Sequence, residues 1–423
     1  IVTAEPALER LPYDGDQGFT GINGSSIDLA EQGNVARYRV TLPDDAQLAI
    51  RYRGEVNFPL GGQKEQYTRG FQSTAGIVGE DGIFLAGSSL WYPYFSDELV
   101  TFRLASNVPE GWHLISQGNG SSRNAAGVAE WDSAGPVDEI YLVGGPLLRY
   151  SEPAGIVSAE VYLRDADDVL AQKYLTATAQ YLEMYRNLIG PYPYGKFALV
   201  ENFWETGYGM PSFTLLGPQV IRFPFILTSS YPHEVLHNWW GNSVFVDYGT
   251  GNWCEGLTAY MADHLMQELR GAGMNWRRDT LKKYRDFVNA ERDFPLTEFR
   301  SRHSAATEAV GYGKVAMGFH MIRRQLGDEQ FIGALQRFYR NNRGRRASFA
   351  DVRAAFEATA GTDFESFFTQ WVEWTGAPDL RVESVTAESD GQGGYAVTGT
   401  LVQRQPGEPY QLKVPVNAVS YTH

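Results

Sequence analysis

A change in the period of the hydrophobic pattern constrains this chain more than any other feature. To about residue 154, apolar and polar residues alternate with a period of two, as in Ala36–Leu42 and Leu48–Arg53. Leu99–Leu104 and Glu139–Val143 read the same way, with Gly-, Ser- and Asn-rich turns between the runs. That is the signature of antiparallel strands with one buried face, arranged as a sandwich. After a strand near Val157–Leu163 the period becomes helical. Leu170, Tyr174, Tyr181, Leu182, Tyr185 and Leu188 share one face of a long helix that Gly190-Pro191 ends. A strand near Phe197–Val200 and extended segments at Phe213–Leu216 and Val220–Leu227 follow. From Ser230 to about residue 375 the pattern is mostly helical, with Gly271, Gly327, Gly361 and Gly376 as stops and Ser348, three residues before Asp351, as an N-cap. Period two returns in Leu380–Val385 and Tyr395–Leu401. The chain therefore reads as a multidomain α+β protein: an N-terminal antiparallel β domain over 1–154, a mostly helical domain over 155–377, and a partial C-terminal β domain over 378–423.

A chain of 423 residues exceeds one ordinary core, and its 43% hydrophobic content excludes general disorder. Lys+Arg number 36 against 50 Asp+Glu, a formal charge of −14, which repels polyphosphate and excludes nucleic acid as a partner. The basic run Arg340–Arg346 has no aromatic stacking platform and reads as a solvated loop. A lone Cys254 excludes an intrachain disulfide, a cysteine metal cage and a CxxC redox site. No apolar run is long enough for a transmembrane segment. The chain starts at Ile1, not Met, without a charged or apolar leader, so it reads as a processed product or a fragment. An extracytoplasmic or membrane-associated setting is the corresponding expectation. Pro415–His423 stops inside a strand-like stretch, so more chain is expected beyond it. Oligomeric state leaves no signature in the sequence.

The chemistry is concentrated in His233-Glu-Val-Leu-His237. Pro232 suits the first turn of a helix, with Ser229 or Ser230 as cap. Residues four apart share a helix face, so both imidazoles can bind one metal ion while Glu234 lies beside them as general base. A catalytic zinc needs a third protein ligand and an open position. The positions three and six residues after His237 are Trp240 and Ser243, so no third histidine follows at that spacing. Asp247, Glu255 and Asp263 are the acidic candidates. Asp247 falls in the loop after the first helix, and Asp263 well inside the next. Glu255 opens that next helix, Trp253–Arg270, whose stripe is Leu257, Met261, Leu265 and Leu269. An antiparallel helix pair returns Glu255 to the histidines. One Zn2+ held by His233, His237 and Glu255 is expected.

His233–Asn242 followed by Trp253-Cys-Glu-Gly256 resembles the motif of the aminopeptidase N family of gluzincin zinc metallopeptidases, whose relatives include leukotriene hydrolase. Val310-Gly-Tyr-Gly-Lys314 resembles the family's Tyr-x-Lys segment, which implies that Tyr312 stabilises an oxyanion. Gly190–Lys196 and Ser88–Pro93 also look like family segments. The likeness thus spans nearly the whole chain and implies an N-terminal β saddle, a thermolysin-like catalytic domain and the start of another domain. The interval Asn238–Cys254 is one residue shorter than the family's usual spacing, which the loop Tyr248–Gly251 can absorb. Gly207–Ser212 corresponds to the family's substrate-binding edge strand, so Gly209 and Met210 inherit contact with a peptide substrate. Pro211 stands where the family carries the glutamate that clamps a free α-amine; Glu201 or Glu205 could substitute, although each reads more simply as a structural group.

The resulting expectation is an aminopeptidase-like zinc hydrolase of peptides, with Glu234 and Tyr312 as catalytic residues. Two alternatives stand beside it: a zinc hydrolase of a non-peptide substrate, and a binding or scaffold protein that keeps an idle metal site.

Overall fold

A five-stranded sheet divides the molecule, and its central strands show why the period-two alternation is lost there. The strand order is Leu148–Ala154, Val157–Leu163, Lys196–Glu201, Phe213–Leu216 and Gly207–Met210. Val157–Leu163, Lys196–Glu201 and Phe213–Leu216 run parallel; the two outer strands are antiparallel to their neighbours. All six residues of Lys196–Glu201 are buried. Phe197 and Leu199 join a helical core on one face, while Ala198 and Val200 join the N-terminal core on the other. A strand covered on both faces cannot alternate apolar with polar.

The computed structural model of the protein describes residues 50, 52–62, 72–93, 98–389, 391–392 and 394–414. It also describes the backbone of the strands Ala7–Leu11, Phe19–Thr20, Ser26–Ile27 and Arg37–Thr41. Antiparallel sheets cover one side of the central sheet. One orders Gly76–Val78, Ile83–Leu85, Leu142–Gly145 and His113–Ile115; another orders Arg103–Asn107, Val128–Asp132 and Asn119–Ser121. Two strands start later than the pattern indicates. Leu99–Leu104 becomes Arg103–Asn107, with Val100 in an isolated bridge to Val137. Glu139–Val143 becomes Leu142–Gly145, because side chains take the backbone before it: Gln117 Nε2 donates to Glu139 O, the Tyr92 hydroxyl accepts from Ile140 N, and Gln117 Oε1 accepts from Tyr141 N. The run Ala36–Leu42 appears as Arg37–Thr41, paired with Ala7–Leu11. Half of Leu48–Arg53 lies outside the described residues, and Ile50, Tyr52 and Arg53 are not in a strand. Pro415–His423 also lies outside them.

Helix α1, Asp168–Leu188, packs against the other face. Asp167 caps it through Oδ1, which accepts from Leu170 N at 2.9 Å, and Leu170, Tyr174, Leu182 and Tyr185 are buried as the period requires. Val220–Leu227 is not extended. It forms the 3-10 turns Val220–Arg222 and Ile226–Thr228, because Glu205 accepts from Gln219 N and the Arg222 guanidinium donates to Pro218 O and Glu201. Ser348 and Asp351 form the expected capping box. The basic run is only partly a loop: Arg345–Ala347 pairs in parallel with Val244–Val246. Leu380–Ser389 and Tyr395–Gln403 form an antiparallel hairpin with a register shift between Val382 and Ser384. No described helix is long and apolar enough to cross a membrane.

Candidate metal centre

The short helix α2, Ser230–Leu236, positions the histidine pair. Pro232 sits in its first turn, where backbone N–H groups have no helical partner. Ser229 precedes the helix but does not cap it with its side chain, because its hydroxyl donates to Phe225 O. His237 is the first residue past α2, and its N–H still bonds His233 O at 3.1 Å. The imidazoles of His233 and His237 therefore face one another, with ring centroids 4.7 Å apart.

The next helix opens with α3, Cys254–Ala259, started by the Asn252 side chain, which accepts from Cys254 N at 3.0 Å. Glu255 in its first turn reaches the histidine pair. Its Oε2 lies 3.4 Å from His233 Nε2 and 3.6 Å from His237 Nε2. Among the described residues, His233, His237 and Glu255 form the one group with three ligand atoms within 4.8 Å of one another. Asp247 stands apart, accepting from Gly249 N as the cap of a 3-10 turn.

The outer contacts test whether this set suits a cation. His233 Nδ1 is 3.2 Å from Asp263 Oδ2, and His237 Nδ1 is 3.1 Å from Trp240 O and 3.5 Å from Cys254 Sγ. A neutral imidazole that donates from Nδ1 to such acceptors leaves its Nε2 lone pair facing inward. Two such nitrogens and a carboxylate oxygen make the three-ligand set of an open zinc site, and the residues fit one ion. The buried histidines and carboxylates also stabilise one another as opposite charges. Burial would lower the His233 pKa, but the Asp263 charge and hydrogen bonds to Asp263 and Glu255 raise it to about 9. Burial would raise the Glu255 pKa, but the two histidines hold its carboxyl well below the usual carboxylate range.

Asp263 is the residue the sequence places least well. Position i+8 on a regular α-helix drifts off the face of Glu255. Here the helix widens into a π turn at Tyr260–His264, which absorbs one extra residue and swings Asp263 behind His233. The same insertion shifts the core stripe. Leu257 and Met261 are buried as expected, but Met266 replaces Leu265, and Leu269 is 68% exposed.

Tyr312 lies on a second π turn, Ala309–Lys314. Its ring stacks on His233 at 6.4 Å, and its hydroxyl lies near the Glu255 carboxylate. Burial and that negative neighbour push the phenol pKa well above 10. Gly256 allows the approach, since a Cβ there would come within 2.2 Å of Val315 Cβ. Lys314 points elsewhere, donating to Trp374 O at 2.7 Å.

Glu234 faces the edge strand Gly207–Met210. A Cβ on Gly209 would meet Glu234 Oε2 at 2.2 Å, so a side chain there would push the carboxylate aside where the strand crosses it. Burial raises the Glu234 pKa against the lowering charge of both histidines. Met210 lies on the same strand with its side chain fully buried in the N-terminal core. Pro211 is not part of the edge ladder. Met210 pairs with Phe213, so Pro211 and Ser212 form a two-residue turn with Ser212 at φ 65°. Glu201 and Glu205 are structural: Glu201 binds Arg222 and Arg164 N, and Glu205 accepts from Gln219 N.

A histidine pair one helical turn apart, completed by a glutamate from the following helix, defines a gluzincin centre. Comparison with known proteins agrees. Residues 228–371 match the peptidase family M1 domain. The chain is 23% identical over 262 residues to the alanine/arginine aminopeptidase of Saccharomyces cerevisiae, covering 56% of this chain and 30% of that protein. It is 28% identical over 188 residues to aminopeptidase N of Escherichia coli, covering 43% of this chain and 21% of that one. It thus spans less than a third of either relative's length. The M1 zinc metallopeptidase of Deinococcus radiodurans shares its fold, with a TM-score of 0.57, 19% identity, and coverage of 76% of this chain and 74% of that one. Yeast LTA4 hydrolase does so with a TM-score of 0.51, 15% identity, and coverage of 66% and 47%. Over residues 228–371 the chain is thus similar to the M1 gluzincin peptidases.

Proposed function

We propose that this chain is a zinc metallopeptidase that hydrolyses peptide bonds in an aminopeptidase-like manner. The observation that supports the reading best is the placement of Glu234 between the His233–His237–Glu255 set and the edge strand. A buried carboxylate, a candidate cation site and an edge strand thus share one small volume, as this reading needs. His233, His237 and Glu255 would hold one zinc ion, which supplies a Lewis acid and makes water a nucleophile near neutral pH. An extended peptide would pair with the backbone at Gly209 and Met210. Glu234, whose burial favours proton uptake, takes the proton of the attacking water and delivers it to the leaving amine. Tyr312, still protonated at any working pH, donates to the developing oxyanion. Trimming from a free N-terminus is the finer part of this reading, and the relatives named aminopeptidases support it.

The test measures zinc content and hydrolysis of paired free and N-acetylated peptides by the parent and by Glu234→Gln. The expected result is a zinc-loaded parent with turnover, and a zinc-loaded variant slowed by roughly 10²–10⁴-fold. A zinc-loaded parent that cleaves no peptide would overturn the reading. Equal cleavage of free and acetylated peptides would remove its aminopeptidase part.

A further inference from the structure

Lys196 opens a central strand yet is only 4% exposed. Its Nζ donates to Ser212 Oγ at 2.8 Å and Ser212 O at 3.3 Å, and lies over the rings of Trp131 and Phe213 at 4.8 and 5.5 Å. An ammonium removed from water needs partners that justify its burial. Here the hydrogen-bond partner is the turn that ends the edge strand. Burial pushes the Lys196 pKa down to about 7, with Glu160 opposing.

Ser212 is tied on two further sides. Its N–H donates to Asn238 Oδ1 at 2.7 Å, and Asn238 follows His237 and bonds Val235 O at 2.9 Å. Its hydroxyl also accepts from Gly118 N at 3.0 Å, within the N-terminal β layer. Next to Lys196, Gly195 N donates to Asn119 Oδ1 at 2.9 Å. The turn is therefore anchored at once to a central strand, to the metal-bearing segment and to the N-terminal layer. These ties oppose the strain of a non-glycine residue at φ 65°.

We propose that Lys196 is a positioning residue: through Ser212 it fixes the edge strand Gly207–Met210 against Glu234, so that a bound peptide backbone is presented to the base. This inference rests on the peptidase reading above. Lys196 touches neither substrate nor metal ligand, and its effect scales with how much substrate backbone lies along the strand. Gly209 lies close over the Glu234 carboxylate, and a small misplacement there lowers the fraction of productive encounters.

The test compares the parent, Lys196→Met and Ser212→Gly on a pentapeptide and on a single aminoacyl anilide, with zinc content measured for each. Ser212→Gly removes the hydroxyl but tolerates the positive φ, so it carries the test if Lys196→Met does not fold. The expected result is a loss of about tenfold or more in kcat/KM for the pentapeptide, several-fold more than for the anilide, with zinc unchanged. The double variant should lose less than the two single losses combined, since both remove the Lys196 Nζ–Ser212 Oγ bond. Equal losses on both substrates, or no loss, would overturn the positioning role and leave the peptidase reading standing. A parent that cleaves neither substrate would overturn both.

Discussion

Two buried glutamates respond to burial in opposite ways. Glu255, at the candidate metal centre, is 6% exposed, and Glu139, in the N-terminal layer, is 8% exposed. Burial raises the pKa of each. For Glu139 the opposing hydrogen bonds from Tyr141, Gly87 and Ser88 are too weak, and its pKa reaches about 7. For Glu255 the imidazoles of His233 and His237 win, and the carboxylate remains ionised. A carboxyl supplied with dipoles alone tends to keep its proton, whereas one facing two nitrogen ligands keeps its charge and its use for a cation.

Four substitutions sharpen or break that contrast. The largest effect is expected for Glu255→Gln, which should abolish both zinc retention and peptide turnover, read by metal analysis beside an activity assay. A variant that holds zinc normally would show that Glu255 is not a ligand. Tyr312→Phe comes next, with kcat reduced about 10²–10³-fold and zinc unchanged, as for loss of an oxyanion donor. An unchanged kcat would assign its hydroxyl to Glu255 alone. Asp263→Asn should weaken zinc binding about 10–100-fold, measured by competition with a chelator. Equal affinities would separate Asp263 from the metal centre.

The smallest effect on catalysis is expected at Glu139. Between its ordinary 4.5 and about 7, the folded chain keeps a proton that the unfolded chain releases. The stability it contributes is therefore present below pH 4.5 and falls as pH rises to about 7, by roughly 3 kcal/mol. Glu139→Gln should flatten this fall in denaturant unfolding at several pH values, with zinc content unaltered. A pH slope identical to the parent's would mean that Glu139 is already ionised in the fold.

Periodic and local signals were readable in advance. Four-residue spacing placed His233 and His237 together, because a helix turns nearly full circle in that distance. Glu255 was readable because it opens the following helix. The Gly190-Pro191 stop and the Ser348–Asp351 capping box were also encoded within a few residues. Asp263, Met266 and the turn at Pro211–Ser212 were not. The first two depend on a π turn, and the third on register between neighbouring strands; neither has a period to detect.

The sequence by itself thus determined the chemical identity of the centre: which side chains meet, and on which helices, since one helical turn and one helix start suffice. The tertiary structure decided how that centre is supported. Asp263 reaches His233 only because the helix wraps one extra residue, and Lys196 reaches Ser212 only because strands distant in sequence lie side by side. Contacts of that kind depend on packing between elements, which a linear pattern does not encode.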